Sequence, residues 1–216
     1  MAVGNARARA VARPALTADL RGPAVALAVV GAVLLVVPAF LFAGDTGPSR
    51  LDRAIQQVVD GSSSGLWTLA DRLDWLGEPL GRAAVTVAVA AVCLLAGRRR
   101  LAIAGLMAMV AATALSTVLK HVVDRQIHDG YLSYPSGHTA AGTVAATILG
   151  LLLADLVRAG RIAGTATTLV FSVIGGLVTA WAQITLSAHY PTDTLGGYGC
   201  GLLAATVAVL AIPRQT

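Results

Sequence analysis

YPSGHTAAGTVAATILGLLLADLV, residues 134–157, is the stretch on which the fold turns. A polar cluster, Tyr134 to His138, runs without a break into the apolar stretch Thr139 to Val157. The same arrangement recurs later, where His189-Tyr190-Pro191-Thr192-Asp193 leads into Leu195 to Ile212. Each cluster follows one hydrophobic span and opens another, so each lies where helices leave the hydrocarbon, a place where a membrane protein can wet reactive groups.

Working outward, further apolar runs cover Pro23 to Ala43, Arg82 to Ala96, Leu101 to Leu119 and Ala163 to Leu186. A bilayer crossing needs about 20 mostly apolar residues, and these runs make six spans in all. The second, Arg82 to Ala96, is the short one and reaches back towards Leu80. With 56% hydrophobic and 12% charged residues in a chain of 216, and a mean hydropathy of +0.74, one soluble core cannot hide the apolar surface. The expected fold is all-α, an integral membrane six-helix bundle. Residues 1–22, with Arg7, Arg9, Arg13 and Arg21, form a basic cytoplasmic tail, and residues 23–216 one six-span domain; no internal repeat argues for a second. The basic stretch before the first span also resembles a signal peptide, but the span is long enough to cross and is read as uncleaved. Cys93 and Cys200 sit inside apolar runs and act as small hydrophobes.

Cytoplasmic loops accumulate Lys and Arg. An inside N-terminus gathers Arg21, Arg98, Arg99, Arg100, Arg158, Arg161 and Arg214 in the cytoplasm, with the C-terminus, and turns both polar clusters to the extracytoplasmic face of a multi-pass cell-membrane protein. The arginines are spread over short loops, which excludes a nucleic-acid surface. In the first extracytoplasmic loop, Leu51, Ile55, Val58 and Val59 repeat at helical spacing, and so do Leu66, Leu69, Leu73 and Leu76. Two short amphipathic helices are expected there, held at the interface by Trp67 and Trp75, as a roof over the site or a structural cap. The glycines from Gly196 to Gly201 read as close helix packing and not as a phosphate loop, because no strand precedes them.

Ionisable residues near membrane depth are costly and mark function. Lys120, Ser136, His138, His189 and Asp193 are those that helices three to six can bring together. Their chemistry suits phosphoryl transfer. His189 would attack phosphorus while Asp193, four residues on, holds the other imidazole nitrogen. His138 would serve as general acid and then base. Ser136 and the backbone N–H groups of Gly137 and His138, at a helix N-terminus, would cradle an anion, and Lys120 would neutralise it. Taken singly, each residue has a blander explanation, such as an interfacial histidine or a turn; taken together they do not.

These residues resemble the type 2 phosphatidic acid phosphatase superfamily, membrane lipid phosphatases related to vanadium haloperoxidases. Lys120, Pro135 to His138, and His189 with Asp193 match its three motifs, and the resemblance implies His189 as nucleophile and His138 as acid. The sequence departs from the family at two places. The Arg-Pro of the first motif falls at Ile127 and His128, and the Ser-Arg of the third falls at Ala182 and Gln183. Both phosphate-clamping arginines are missing there. Arg125 lies two residues before the first position, and Gln183 can donate hydrogen bonds without charge, so both join the substrate-binding candidates. Charge-assisted hydrogen bonds are worth roughly 1.5–3 kcal/mol each, so the loss argues against haloperoxidase activity and favours a lipid with less charge at the attacked phosphorus.

The expected function is metal-independent hydrolysis or transfer of phosphate from a membrane lipid phosphate or diphosphate, without a cofactor, in a lipid bilayer; a homo-oligomer is left open. No Asp or Glu cluster has metal-ligand spacing, which fits Lys and His in place of magnesium. The alternative is a divergent, non-hydrolytic member that binds a lipid head group or a partner protein. A small transporter would need polar residues deep in several spans, and these are missing.

Overall fold

The structure, a computed structural model, describes residues 15–59, 64–128 and 130–213. The first part of the expected basic tail, with Arg7, Arg9 and Arg13, lies outside the described residues, as does Arg214. Eight helices are described: α1 (Arg21–Leu41), α2 (Arg50–Val59), α3 (Ser64–Trp75), α4 (Pro79–Leu95), α5 (Arg99–Val123), α6 (Gly137–Leu156), α7 (Arg161–Thr185) and α8 (Pro191–Ala211). Five of them, α1, α5, α6, α7 and α8, are long and apolar enough to cross a membrane. The protein is an all-α, multi-spanning membrane protein.

The second expected span differs from the others. Helix α4 has 17 residues, about 25 Å at 1.5 Å per residue, short of a hydrocarbon core of about 30 Å. It reaches membrane-crossing length only with α3, from which it is bent by 71°. Pro79 opens α4 where its missing N–H is harmless, and Gly81 lets the chain turn back on itself, since a Cβ there would run into the Trp75 carbonyl. The two amphipathic repeats of the sequence correspond to α2 and α3. Helix α2 lies against α7 and α8, and α3 against α7.

Helix α8 is central, touching α1, α5, α6 and α7. Its glycines permit this. A Cβ on Gly31 of α1 would sit 2.8 Å from the Leu203 nitrogen, and one on Gly199 would sit 2.7 Å from the Gly31 oxygen, so the two backbones are in direct contact. Helices α6 and α8 are the most buried, while α1 turns Val25, Val29, Val33 and Phe40 outward, as a lipid-facing helix does. Thr139, Thr143 and Thr147 are buried along α6; Thr143 and Thr147 each donate their hydroxyl to the carbonyl one turn back.

Two ends of the bundle are distinct. At one, Arg98 pairs with Asp155, Arg100 donates to the Pro213 carbonyl (3.1 Å), and Leu20 packs on Gly164. At the other, the Gly44 N–H reaches the Val123 carbonyl (2.9 Å), and the starts of α6 and α8 meet through the Ser136 N–H and the Asp193 carbonyl (3.0 Å). Between α5 and α6 the chain makes a two-residue antiparallel ladder, Gln126 with Leu132 and Ile127 with Tyr131. No strand is visible in the sequence there, because two residues are too few to set a period.

Gly199→Val should separate α1 from α8 and lower stability by about 1–3 kcal/mol, read as a drop in Tm of the detergent-solubilised protein. Gly22→Ala, with nothing within 4 Å of the added Cβ, should leave Tm unchanged.

Candidate active site

Ser136 begins α6 in extended geometry and its hydroxyl accepts from the Thr139 N–H (3.3 Å), an N-cap written by the residue type. Tyr134, two residues earlier, is fully buried; its hydroxyl donates to the Leu35 carbonyl of α1, and its ring occupies the space that a side chain on Gly196 would fill. The turn before α6 is thereby fixed between α1 and α8. Burial, with the Asp193 charge beside it, pushes the Tyr134 phenol well up, so this hydroxyl stays a donor. His138 follows in the first turn of α6, its ring against Gly77 in the break between α3 and α4.

His189 lies in the turn between α7 and α8. The residues from His189 to Asp193 do not form one continuous helical turn, since α8 begins only at Pro191 and Ser187 takes a left-handed φ of 55°. The imidazole is buried, with Nδ1 3.8 Å from Asp193 Oδ2, too long for a hydrogen bond. Asp193 is committed elsewhere. Its Oδ2 accepts from the Tyr190 N–H (3.0 Å), closing the N-terminus of α8, and its Oδ1 accepts from Arg125 (2.6 Å).

Arg125 is fully buried and spans two carboxylates. Nη1 donates to Asp193 Oδ1 and to the Thr192 hydroxyl (both 2.6 Å), and Nη2 to Asp52 Oδ2 (2.7 Å). Phe42 and Tyr190 cover the guanidinium at 4.4 and 4.7 Å from their ring centroids. Asp52, from α2, also accepts from the Thr192 N–H (2.9 Å), the Thr192 hydroxyl (2.8 Å) and the Ser49 N–H (2.9 Å). The Ser49 hydroxyl accepts from the Asp52 N–H in return (3.1 Å), a reciprocal cap. Burial raises the Asp52 carboxyl, but the hydrogen bonds from Thr192 and Ser49 outweigh it and hold it below the ordinary 3.8.

Lys120 donates to the Leu132 carbonyl (2.7 Å) at the end of α5, and the charges of Asp193 and Arg82 act on it. The charges of Asp74, His189, Arg82 and Lys120 all act on His138. His138 Nε2 stands 3.3 Å from Asp74 Oδ1 and 3.7 Å from Glu78 Oε1. Gln183 on α7 donates to the same Asp74 oxygen (2.6 Å). His138 Nε2, His189 Nδ1 and Gln183 Oε1 are buried without a hydrogen-bond partner, an unusual concentration of unsatisfied polar atoms. From His138, Arg82 and Gln183 a cavity of about 250 Å³ runs between α4, α6 and α7 along Val85, Ala145, Leu149 and Val178. A larger cavity, about 380 Å³, lies between α1, α2, α7 and α8 and has neither a charge nor a histidine in its lining.

The structure thus brings Lys120, Ser136, Gly137, His138, Gln183, His189 and Asp193 to one end of the bundle. Arg125 is placed behind Asp193, with both ends of its guanidinium on carboxylates. His128 Nε2 donates to the Ser187 carbonyl (2.6 Å), and His121 is exposed on α5. Asp52, Asp74, Glu78 and Arg82 were invisible in the sequence as site residues, because they belong to a charged loop and a short helix. Asp74, Glu78 and His138 offer one ligand atom each, all within 4.8 Å of one another, so a trio able to hold a cation exists in space although no linear spacing announces it.

A profile of the PAP2 superfamily matches residues 21–216. Among solved structures, a transmembrane PAP2-type phosphatidylglycerolphosphate phosphatase from Bacillus subtilis is similar at a TM-score of 0.66 and 18% identity, over 84% of this chain and 93% of that one. No functionally curated protein matches the sequence significantly.

Arg125→Met should strand two buried carboxylates and destabilise the protein by about 3–5 kcal/mol. Because Asp52 is held below its ordinary value, its contribution is fully present above about pH 3.8 and is lost as pH falls through the lower folded value. Thermal melts of Asp52→Asn against the parent protein should show a Tm gap at neutral pH that narrows on acidification below that point.

Proposed function

The chain belongs to the PAP2 superfamily, with its membrane-associated phosphatase fold, and on that premise we propose that it hydrolyses or transfers phosphate from a membrane lipid phosphate or diphosphate through a phosphohistidine intermediate, without a metal. What carries this reading is the meeting of His138, His189 with Asp193, and Lys120 around the first turn of α6, at the mouth of an apolar cavity.

His189 Nδ1 faces Asp193, which leaves Nε2 to attack phosphorus. The P–N bond forms as the bond from phosphorus to the lipid oxygen breaks, and His138 gives that oxygen its proton. Asp74 Oδ1, 3.3 Å from His138 Nε2, faces the ring and orients it for this step. In the second step neutral His138 takes a proton from water, whose oxygen displaces His189 from phosphorus. Inorganic phosphate leaves, and a lipid alcohol in place of water gives transfer. The open N–H groups of Gly137 and His138, with the helix dipole behind them, hold the equatorial oxygens. The cavity beside His138 takes part of the lipid chain.

The proposed topology has six crossings, the bent α3–α4 pair being one. The end with Arg98, Arg99, Arg100, Arg158 and Arg161 faces the cytoplasm, and the histidine end lies outside. One observation favours a variant of the chemistry: the Asp74, Glu78 and His138 trio would take a divalent cation that supplies charge at the phosphate.

Phosphate release from lipid mono- and diphosphates by the solubilised protein should persist in chelator and fall by at least a thousandfold in His189→Ala, which should also fail to form an acid-labile phosphoenzyme. Release abolished by chelator and restored by a divalent cation selects the metal-assisted variant. No release from any lipid by folded protein selects a head-group-binding role.

A further inference from the structure

Two arginines at this end of the bundle, Arg125 and Arg82, are held in different ways. Arg125 is neutralised by Asp52 and Asp193. Arg82, in the first turn of α4, is held by neutral groups. Its Nε and Nη2 donate to the Gly77 carbonyl (3.1 and 2.6 Å) and its Nη1 to the Thr113 hydroxyl (3.3 Å). Among the described residues no carboxylate forms an ion pair with it; Glu78 acts on it at longer range. Three of the five guanidinium N–H donors are engaged by these contacts, and they fix the plane of the group without cancelling its charge.

That plane is set against the anion cradle. Arg82 Nη2 lies 3.8 Å from the point a Cβ on Gly137 would occupy, beside the open N-terminus of α6. The Gly77 carbonyl that orients Arg82 belongs to the residue on which the His138 ring rests. Arg82 shares the cavity with His138 and Gln183, and Val85, three residues on and so on the same face of α4, continues its wall. A half-buried, unneutralised arginine with its position fixed by backbone and hydroxyl is what planar recognition of a phosphate requires.

We propose that Arg82 grips the substrate phosphate, delivered from α4 in place of the cations that Ile127 and Gln183 do not supply. The inference rests on the phosphoryl-transfer reading for its substrate, but not for the anion site itself. With Lys120 on one side and Arg82 on the other, the phosphate sits over the N-terminus of α6 between His138 and His189. Thr113 is a positioning residue, acting through Arg82.

The test uses the full chain in detergent, as the parent protein, Arg82→Ala, Arg82→Lys and Arg161→Ala, the last an exposed cation at the opposite end of α7. Two readouts are taken, KM and kcat for a lipid phosphate, and thermal stabilisation by inorganic phosphate, which needs no turnover. Arg82→Ala should raise KM about 10- to 100-fold and abolish phosphate stabilisation. Arg82→Lys should recover part of both, and Arg161→Ala should match the parent. Unchanged KM and unchanged phosphate stabilisation in Arg82→Ala would overturn the assignment while leaving the phosphatase reading intact, and so would equal losses in Arg161→Ala. Phosphate stabilisation that depends on Arg82 in a protein with no turnover on any lipid would keep the anion site and remove the phosphatase reading. Should Arg82→Ala not fold, Arg82→Lys and Thr113→Val carry the comparison, with a several-fold rise in KM expected in each and unchanged values overturning the proposal.

Discussion

The buried network of Asp52, Arg125, Thr192 and Asp193 is the constraint on which the rest of the structure depends. It joins α2, the turn after α5 and the start of α8, three pieces far apart in sequence. Taking three charges out of water is unfavourable, and an ion network of this kind contributes little net stability compared with an apolar substitute. Its value lies in geometry. Every oxygen of Asp52 and Asp193 has a fixed partner, so Asp193 cannot turn away from His189. Two carboxylates against one guanidinium leave a net negative charge beside the His189 imidazole.

A second constraint is the bend between α3 and α4. Bent by 71°, the α3–α4 pair lays Gly77 on the His138 ring, brings Asp74 and Glu78 to that imidazole and puts Arg82 in the cavity wall. The same bend therefore sets the carboxylates that face His138, the arginine beside the start of α6 and one wall of the cavity.

Much of the fold was legible. The five long spans stand in the sequence as continuous apolar runs, because lipid outside and packed helices inside both demand apolar side chains. The Gly196 to Gly201 run read correctly as close packing. The short fourth helix did not reveal its dependence on α3, since neither hydropathy nor period encodes a bend. In the site, the Ser136 cap and the adjacency of His138 and His189 followed from motif residues at helix ends. Arg125 looked like a spare clamp because it stood near a missing one; its carboxylate partners lie 68 and 73 residues away and no local pattern points to them. Asp74 and Glu78, separated by a helix break, gave no metal-like spacing, and His138 joins them only in space.

The sequence by itself determined that this chain spans a membrane repeatedly, that its reactive groups cluster at helix ends and that two expected arginines are absent. Those are properties of composition and of residues close in the chain, where periodicity and motif spacing carry the information. Only the tertiary structure decided which cations are neutralised and which remain available. That depends on whether a guanidinium meets a carboxylate or a carbonyl once helices are packed. Arg125 and Arg82 are alike as letters; one is locked between two aspartates and the other is held by neutral oxygens beside an open helix terminus.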